Sequence, residues 1–509
     1  MIFLRQNRSL LRDALFLTGV HLFLHAVSLA FSAFLTRRLG AGGMGLWQLI
    51  TSVGGFAMTL ATAGVRTASA FLCAEELGRG RSGGVRSAVE HCARYGLTLC
   101  LFSGAVLFFL SDHVAEAALH APEAAGALRI LALFLPAGCL CSILSGCFTA
   151  CGKIRRLAVI EIAEELGSLL FVLLLLPARQ TRNAAQSCLA IALAGGLAEL
   201  AGVSVQLLLF RRDCRDQPPA KIPMTGRLLR LCVPLGFSEC LRAGLSVLEQ
   251  FLIPWGLARY GLSREAALSG YGVLRGMVFP LLFFPAALLF SLSELLVPEL
   301  ARQRAAGRTE RVRALTRSCL RAGFVYSACA AGLLFALARP LGLLVYGSEA
   351  AGAQLELFAP MILILYPDAL ADGLNKGLGQ QTACARISLL ASLLDVLLLW
   401  ILLPRLGPAG FYFTFAGTRL LNSVLSLHLL RSSSGLGAEI GPAVRASVCA
   451  AAAAGACFSF PAPAAPLACA LLRLGIFGGI LLPLLSLAEA LTPGDRARLL
   501  RALPLHGDP

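Results

Sequence analysis

Charge is what this chain has least of. Only 14% of its 509 residues are Asp, Glu, Lys or Arg, against about 25% in a soluble domain, whose charged residues face water. A water-soluble protein of ordinary surface is therefore excluded. Catalytic signatures are missing too: the chain has no GxxxxGK[ST] phosphate loop, no HExxH and no GxSxG, so nothing reads as an enzyme. Any transport must then be driven by an ion gradient, the membrane potential or consumption of product. The 17 cysteines contain no CxxC pair and no His/Cys cluster at ligand spacing. They lie mostly in apolar stretches (Cys139, Cys141, Cys147 and Cys151 share one) and read as small apolar residues, not disulfides or ligands. No metal and no cofactor is expected.

What fills the space is apolar: 57% hydrophobic residues and a mean hydropathy of +0.77. A span needs about 20 largely apolar residues. Fourteen such runs can be marked, at 12–36, 45–72, 89–111, 124–150, 156–177, 185–210, 229–256, 271–298, 318–338, 354–375, 386–403, 409–430, 441–459 and 465–490. The first is too long for a signal-peptide core and reads as a retained span. The expected fold is an all-α polytopic membrane protein with loops too short for a nucleotide-sugar domain, which leaves a glycosyltransferase least favoured.

The formal charge is +16. In a soluble protein this would raise nucleic acid as a partner, but topology explains it better. With a cytoplasmic N-terminus, 28 Lys and Arg fall on inner segments and 8 on outer ones. The dense inner groups are Arg211, Arg212, Arg215, Lys221, Arg227 and Arg230, then Arg302, Arg304, Arg308, Arg311, Arg313 and Arg317. That bias predicts both termini in the cytoplasm and an even number of spans, with no nucleic-acid partner.

The chain also resembles itself. Segment 146–177, GCFTACGKIRRLAVIEIAEELGSLLFVLLLLP, aligns with 373–404, GLNKGLGQQTACARISLLASLLDVLLLWILLP. Gly146 meets Gly373, Gly152 meets Gly379 and Pro177 meets Pro404, all at an offset of 227 that also brings Arg94 and Gly96 onto Arg321 and Gly323. An offset of six spans preserves membrane direction, so the repeat is parallel. The expected organisation is two six-helix lobes, 1–215 and 216–432, with spans 13 and 14 and a cytoplasmic tail in 433–509.

Polar residues at helical spacing mark faces kept from lipid. Span 1 carries Thr18, His21, His25, Ser28 and Ser32; span 2 carries Ser52, Thr59, Thr62, Arg66 and Ser69. Span 7 carries Glu239, Arg242, Ser246 and Glu249, and span 8 carries Tyr271, Arg275 and, near its inner end, Glu294. These are the first two helices of each half, which predicts a central polar cavity between them.

Residues 271–303, YGVLRGMVFPLLFFPAALLFSLSELLVPELARQ, preceded by LEQFLIPWGLARYGLSREAALSGYG from 248, resemble the stage V sporulation protein B family of polysaccharide-type flippases. That family lies within the multidrug/oligosaccharidyl-lipid/polysaccharide (MOP) exporter superfamily. RRLGAGGMGLWQLI at 37–50, AGVRTASAFLCAEEL at 63–77 and LFAPMILILYPDALADGLNKGLGQQ at 357–381 are similar to it as well. The resemblance implies a flippase of the bacterial cytoplasmic membrane, working by alternating access. Its implied cargo is an undecaprenyl-linked cell-wall or polysaccharide precursor, such as the peptidoglycan precursor for spore cortex. Related lipid II flippases hold the lipid diphosphate with cavity arginines. Where span 1 would carry one, this chain has His25, so an anion clamp would rest on Arg66, Arg242 and Arg275.

Each of these residues has a plainer reading. Arg242 could pair with Glu239 or Glu249, and Arg275, near the outer end of its span, could snorkel to the headgroups. His21 and His25 at i and i+4 lack a third ligand and read as cavity lining, as do Ser28, Ser69 and Ser246. Asp368, Asp372, Asp395, Thr414, Thr418 and Arg419 form a second polar group. It reads as an arginine–aspartate lock among three helices, with a coupling-cation site at Asp395, Thr414 and Thr418 as the alternative. Glu161, Glu164 and Glu165 read as an interfacial cluster beside Lys153 and Arg155. Two other functions compete: a cation-coupled multidrug exporter on the same fold, and a membrane scaffold for wall-synthesis enzymes.

Overall fold

The computed structural model describes residues 8–79, 82–176, 183–214, 224–435, 441–460, 463 and 465–487. The chain termini, Arg81, Pro177, Arg179, Arg182, Arg215 and Lys221, used above for topology or for the repeat, lie outside the described residues. So do the side chains of Arg8, Arg12, Thr18 and Glu294. Among the described residues there are helices and turns but no strand.

Helix α1 (Arg8–Thr62) folds back at Gly40, whose φ of 71° is open to glycine at no steric cost. The stretch RRLGAGG, which reads as a loop in the sequence, is thus two helices meeting at a one-residue hinge. The second rod breaks at Ala63 and Gly64 and resumes as α2 (Val65–Gly78). Then follow α3 (Ser82–His113), prolonged by a π turn at Val114–Ala118, α4 (Ala125–Ala150), α5 (Ile154–Leu175), α6 (Ala184–Asp213) and α7 (Thr225–Tyr260). One interrupted rod comprises α8 (Arg264–Val273), a π turn at Leu274–Val278, α9 (Phe279–Phe283) and α10 (Ala286–Ala305). Beyond it lie α11 (Thr309–Leu341) with a π turn at Gly342–Tyr346, α12 (Glu349–Phe358) and α13 (Ile362–Gly377). Helices α14 (Gln381–Leu406), α15 (Pro408–Ser434), α16 (Gly441–Phe458) and α17 (Pro466–Leu487) complete the order.

Among the described residues, ten helical segments are long and apolar enough to cross a membrane, the first being the folded pair 19–78. Counting that pair as two, and adding α5, α15 and α16, is consistent with fourteen passes. Successive rods reverse direction, so the turns alternate between two ends of the bundle. One end holds Gly40, His120, Gly261, Gly347 and Gly407; the other holds Arg79, Gly152, Gly307, Gly379 and Gly435.

Prolines explain the interrupted rod. Pro280 has no N–H for the carbonyl four residues back and its ring crowds that turn. A π turn stands directly before it, and Ser32 Oγ of α1 donates to the Gly276 carbonyl at 2.7 Å. That bond fastens α1 to the α8–α10 rod. Helices in lipid associate through close packing, which small residues allow. A Cβ on Gly272 would lie 2.0 Å from the Ala41 carbonyl oxygen, and one on Gly45 would lie 2.3 Å from that of Leu268. The backbones therefore nearly touch where the α1 hinge meets α8. Helix α7 packs between the second rod of α1 on one side and α14 on the other, while α16 and α17 pack on α11. Exposed Phe102, Phe109, Leu133, Trp400 and Phe413 cover the outside of the bundle, an apolar surface suited to acyl chains.

The seventeen cysteines are free thiols, mostly buried. At the Arg79 end, Asp213 accepts from Lys153 Nζ at 2.6 Å and lies 3.3 Å from Arg156 Nη1. Lys153 is therefore spent on Asp213. Burial works against the Asp213 carboxylate, but the two cations outweigh it and hold its carboxyl below the usual carboxylate range. A lowered folded pKa gives stability that is full above the ordinary value of 3.8 and fades as pH falls through the folded value. The pair remains partly exposed, 32% for Lys153 and 24% for Asp213, so the effect stays below about 1 kcal/mol. Thermal unfolding of Asp213→Asn against the parent should differ most near neutral pH, and the two curves should converge in acid. A gap that widens in acid would refute this.

Candidate functional site

The second helical rod and α7 meet at the break in the former. Gly64 starts α2 with no side chain to cap it, so Glu239 of α7 supplies the carboxylate: its Oε2 accepts from Gly64 N at 3.1 Å. An acid at a helix N-terminus is stabilised by the free N–H groups and the helix dipole. Glu239 is thus committed to α2 and not to Arg242, and its position opens a cavity below the junction.

That cavity holds about 680 Å³. Thr59 and Thr62 line it from α1; Glu239, Arg242, Ser246 and Glu249 from α7; Arg275 and Phe279 from the α8–α10 rod; Asp368 from α13; and Phe415 and Arg419 from α15. Arg275, Phe279 and Phe283 also line a second cavity of about 370 Å³ with His25, Ser28, Gln48 and Gln250. The two spaces share one wall, at the centre of which stands Arg275.

The charges are mostly matched. Arg275 Nη2 bonds Glu249 Oε1 at 3.2 Å, and its guanidinium lies 5.3 Å from the Phe279 ring centre. It is 24% exposed and engaged with a carboxylate, so the snorkelling alternative fails. Arg419 Nη2 bonds Asp395 Oδ2 at 2.8 Å, while Thr418 Oγ1 donates to Asp395 Oδ1 at 2.5 Å. Asp368 Oδ2 accepts from Asn422 at 2.7 Å. Arg242 has no ion pair with Glu239, with Glu249 or with any other acid among the described residues. The Nε atoms of Arg275 and Arg419 are buried with no hydrogen-bond partner, as is Asp368 Oδ1. The cavity therefore presents one guanidinium without an ion pair, Arg242, beside the carboxylates of Glu239, Glu249 and Asp368, while the partnerless Nε atoms of Arg275 and Arg419 are themselves buried.

The residues singled out from the sequence divide accordingly. His25, Ser28, Arg242, Ser246, Glu249 and Arg275 line the two spaces. His21 sits one turn from His25, with Nδ1 3.5 Å from Ser291 Oγ, a link between α1 and α10. Ser69 is a correction: it is fully buried and donates to the Ile143 carbonyl at 2.8 Å, binding α2 to α4 away from either space. Arg66 is exposed and lines neither space. In the second polar group Asp395 is occupied by Arg419 and Thr418, Thr414 Oγ1 is buried beside them, and Asp372 instead pairs with Lys376 at 2.5 Å. The expected lock is present, but Arg419 and Asp368 also face the main cavity, which their place on later helices hid. Glu164 and Glu165 are likewise corrected: with Glu199, Thr51 and Ser168 they line a separate cavity of about 360 Å³. Only folding brings α5 and α6 together there.

A family model described as MatE matches residues 18–171. The chain is 23% identical to "Stage V sporulation protein B" of Bacillus subtilis (strain 168) over 387 residues, 74% of each chain. It is 22% identical to "Sporulation protein YkvU" of the same organism over 346 residues, covering 67% of this chain and 76% of that one. Among solved structures, "Lipid II flippase MurJ, inward closed conformation" superposes with a TM-score of 0.66 at 10% identity, over 93% of this chain and 98% of that one. A multidrug resistance MATE family transporter of the MOP superfamily, in its inward-facing conformation, gives a TM-score of 0.60 at 14% identity, over 81% and 94%. These likenesses agree with the all-helical architecture and with the resemblance drawn from the sequence.

Proposed function

We propose that this chain of the MOP exporter superfamily is a flippase for an anionic lipid-linked saccharide. Membership of a family of membrane flippases and transporters is the premise; the cargo is our reading. The two halves, 1–215 and 216–432, would rock about the shared cavity, with α16 and α17 of the remaining segment 433–509 set against α11. Both termini would face the cytoplasm, as the basic-residue bias requires. The cargo would be an undecaprenyl-linked cell-wall or polysaccharide precursor, the spore-cortex peptidoglycan precursor among them, and the reading needs no enzymatic step.

The observation that carries this reading is the unpaired Arg242 in a cavity lined by two further arginines. Arg242 lines the cavity with no partner among the described residues, and the guanidinium groups of Arg275 and Arg419 line the same cavity from neighbouring helices. A diphosphate offers oxygens to the Arg242 guanidinium, and a planar guanidinium binds such oxygens in pairs. A cationic drug would meet Glu249 and Glu239 instead, but both are already committed, to Arg275 and to the α2 N-terminus. The acidic lining, Asp368 together with Glu239, which meets a backbone N–H and no cation, is what favours the multidrug reading.

Native mass spectrometry of the purified protein tests the choice. An undecaprenyl-diphosphate-linked saccharide and a hydrophobic cation are offered in competition. Preferential retention of the diphosphate lipid is expected; preference for the cation would move the assignment to a multidrug exporter.

A further inference from the structure

The Gly40 end of the bundle is closed by two contacts that mirror one another. Arg37, at the end of the first rod of α1, donates from Nη2 to the carbonyl oxygens of Leu344 and Val345, at 2.9 and 3.1 Å. Arg264, the first residue of α8, donates from Nη2 to those of Leu119 and His120, at 3.1 and 2.8 Å. The two arginines are 227 residues apart, the offset of the internal repeat. Their acceptors are equivalent too: Leu344 and Val345 lie in the π turn that ends α11, and Leu119 and His120 directly follow the π turn that ends α3. In each case the chain then turns through a left-handed residue, Gly347 or His120. Each arginine crosses from its own half to the other.

The chemistry fits a fastening. Carbonyls at a helix end have lost their intrahelical donors and carry the negative end of the helix dipole. A guanidinium satisfies two of them at once with charge-assisted bonds. Between the two arginines, Gly45 and Gly272 bring the α1 hinge and α8 into backbone contact, which adds a tight seam between the halves at this end. Both arginines stay exposed at the surface, where water can replace the carbonyls when the bonds break.

We propose that Arg37 and Arg264 form a paired latch that holds the Gly40 end shut, and that both halves of the latch release when the cavity opens to that face. The inference rests on the alternating-access reading above. The test places a reporter thiol in the cavity by Ser392→Cys, since Ser392 lines it and the parent without this substitution gives the background of native cysteines. In oriented proteoliposomes, an impermeant maleimide is added to one face at a time. The reporter should label mainly from the Arg79 face. Adding Arg37→Ala and Arg264→Ala together should move the ratio of labelling toward the Gly40 face by about tenfold, equivalent to about 1.4 kcal/mol. Each single substitution should move it part of the way. An unchanged ratio in the double variant, with the parent still one-sided, would overturn the latch alone. Equal labelling from both faces of the parent would overturn alternating access and the latch with it. A general loosening is separated by the melting temperature, and a double variant that labels equally from both faces because it melts early would count against the latch.

Discussion

Asp395→Ala, behind the cavity wall, should cost about 3–5 kcal/mol of stability. Asp395 is 2% exposed and its two oxygens are divided between Arg419 and Thr418. Removing the carboxylate leaves the Arg419 guanidinium facing Phe415 without the acid it bonds, inside the helical bundle. A mid-membrane arginine alone costs about 2.5–3.5 kcal/mol on insertion scales. The companion variant Asp395→Ala with Arg419→Leu should recover much of the loss, because a buried pair replaced by apolar groups is often neutral. Thermal unfolding in detergent, parent against both variants, measures this. If Asp395→Ala melts with the parent, the pair is not a lock. The competing coupling-cation reading would gain if added cation, and not Arg419, set the stability of the parent.

The all-helical, many-span architecture was readable because a span is a composition statement: about 20 apolar residues make one wherever they occur. The faces were partly readable. A stripe at steps of three and four marks one side of a continuous helix, and on α7 it led through Arg242, Ser246 and Glu249 to the cavity wall. On the second rod it led to Thr59 and Thr62 and then failed. Ala63 and Gly64 take φ of 28° and 75°, which breaks the helix and resets its phase, so Arg66 and Ser69 no longer continue the face above them. The only hint in the sequence was a glycine between apolar residues, which is too common in membrane helices to signal a break. Arg419 and Asp368 were recognised as polar but credited to their own half, since the sequence has no term for how far α13 and α15 reach toward α7. The reciprocal arginines at the Gly40 end obeyed the repeat offset all along. Their significance depended on backbone carbonyls, which no residue pattern displays.

Arg242→Ala is the complementary case, with a small effect on the fold and a large one on the cargo. Arg242 is exposed to the cavity and bonds no acid among the described residues, so its loss strands no counter-charge and the melting temperature should stay near that of the parent. Hydrogen bonds to a charged group contribute about 1.5–3 kcal/mol, so losing the clamp should weaken the diphosphate lipid by about 10–100-fold. Arg242→Lys keeps the charge but gives up the planar fork, and should fall between the two. Arg66→Ala supplies the control that the sequence alone would have chosen wrongly: it removes an equal charge from the next helix, outside either space, and should leave affinity within about twofold. Titration by native mass spectrometry, with melting temperatures measured in parallel, compares the four proteins. Equal losses for Arg242→Ala and Arg66→Ala would mean that long-range charge, not this wall, holds the lipid. No loss for Arg242→Ala would leave Arg275 and Arg419 as structural partners of Glu249 and Asp395, and the acidic members of the wall would then define what the cavity carries.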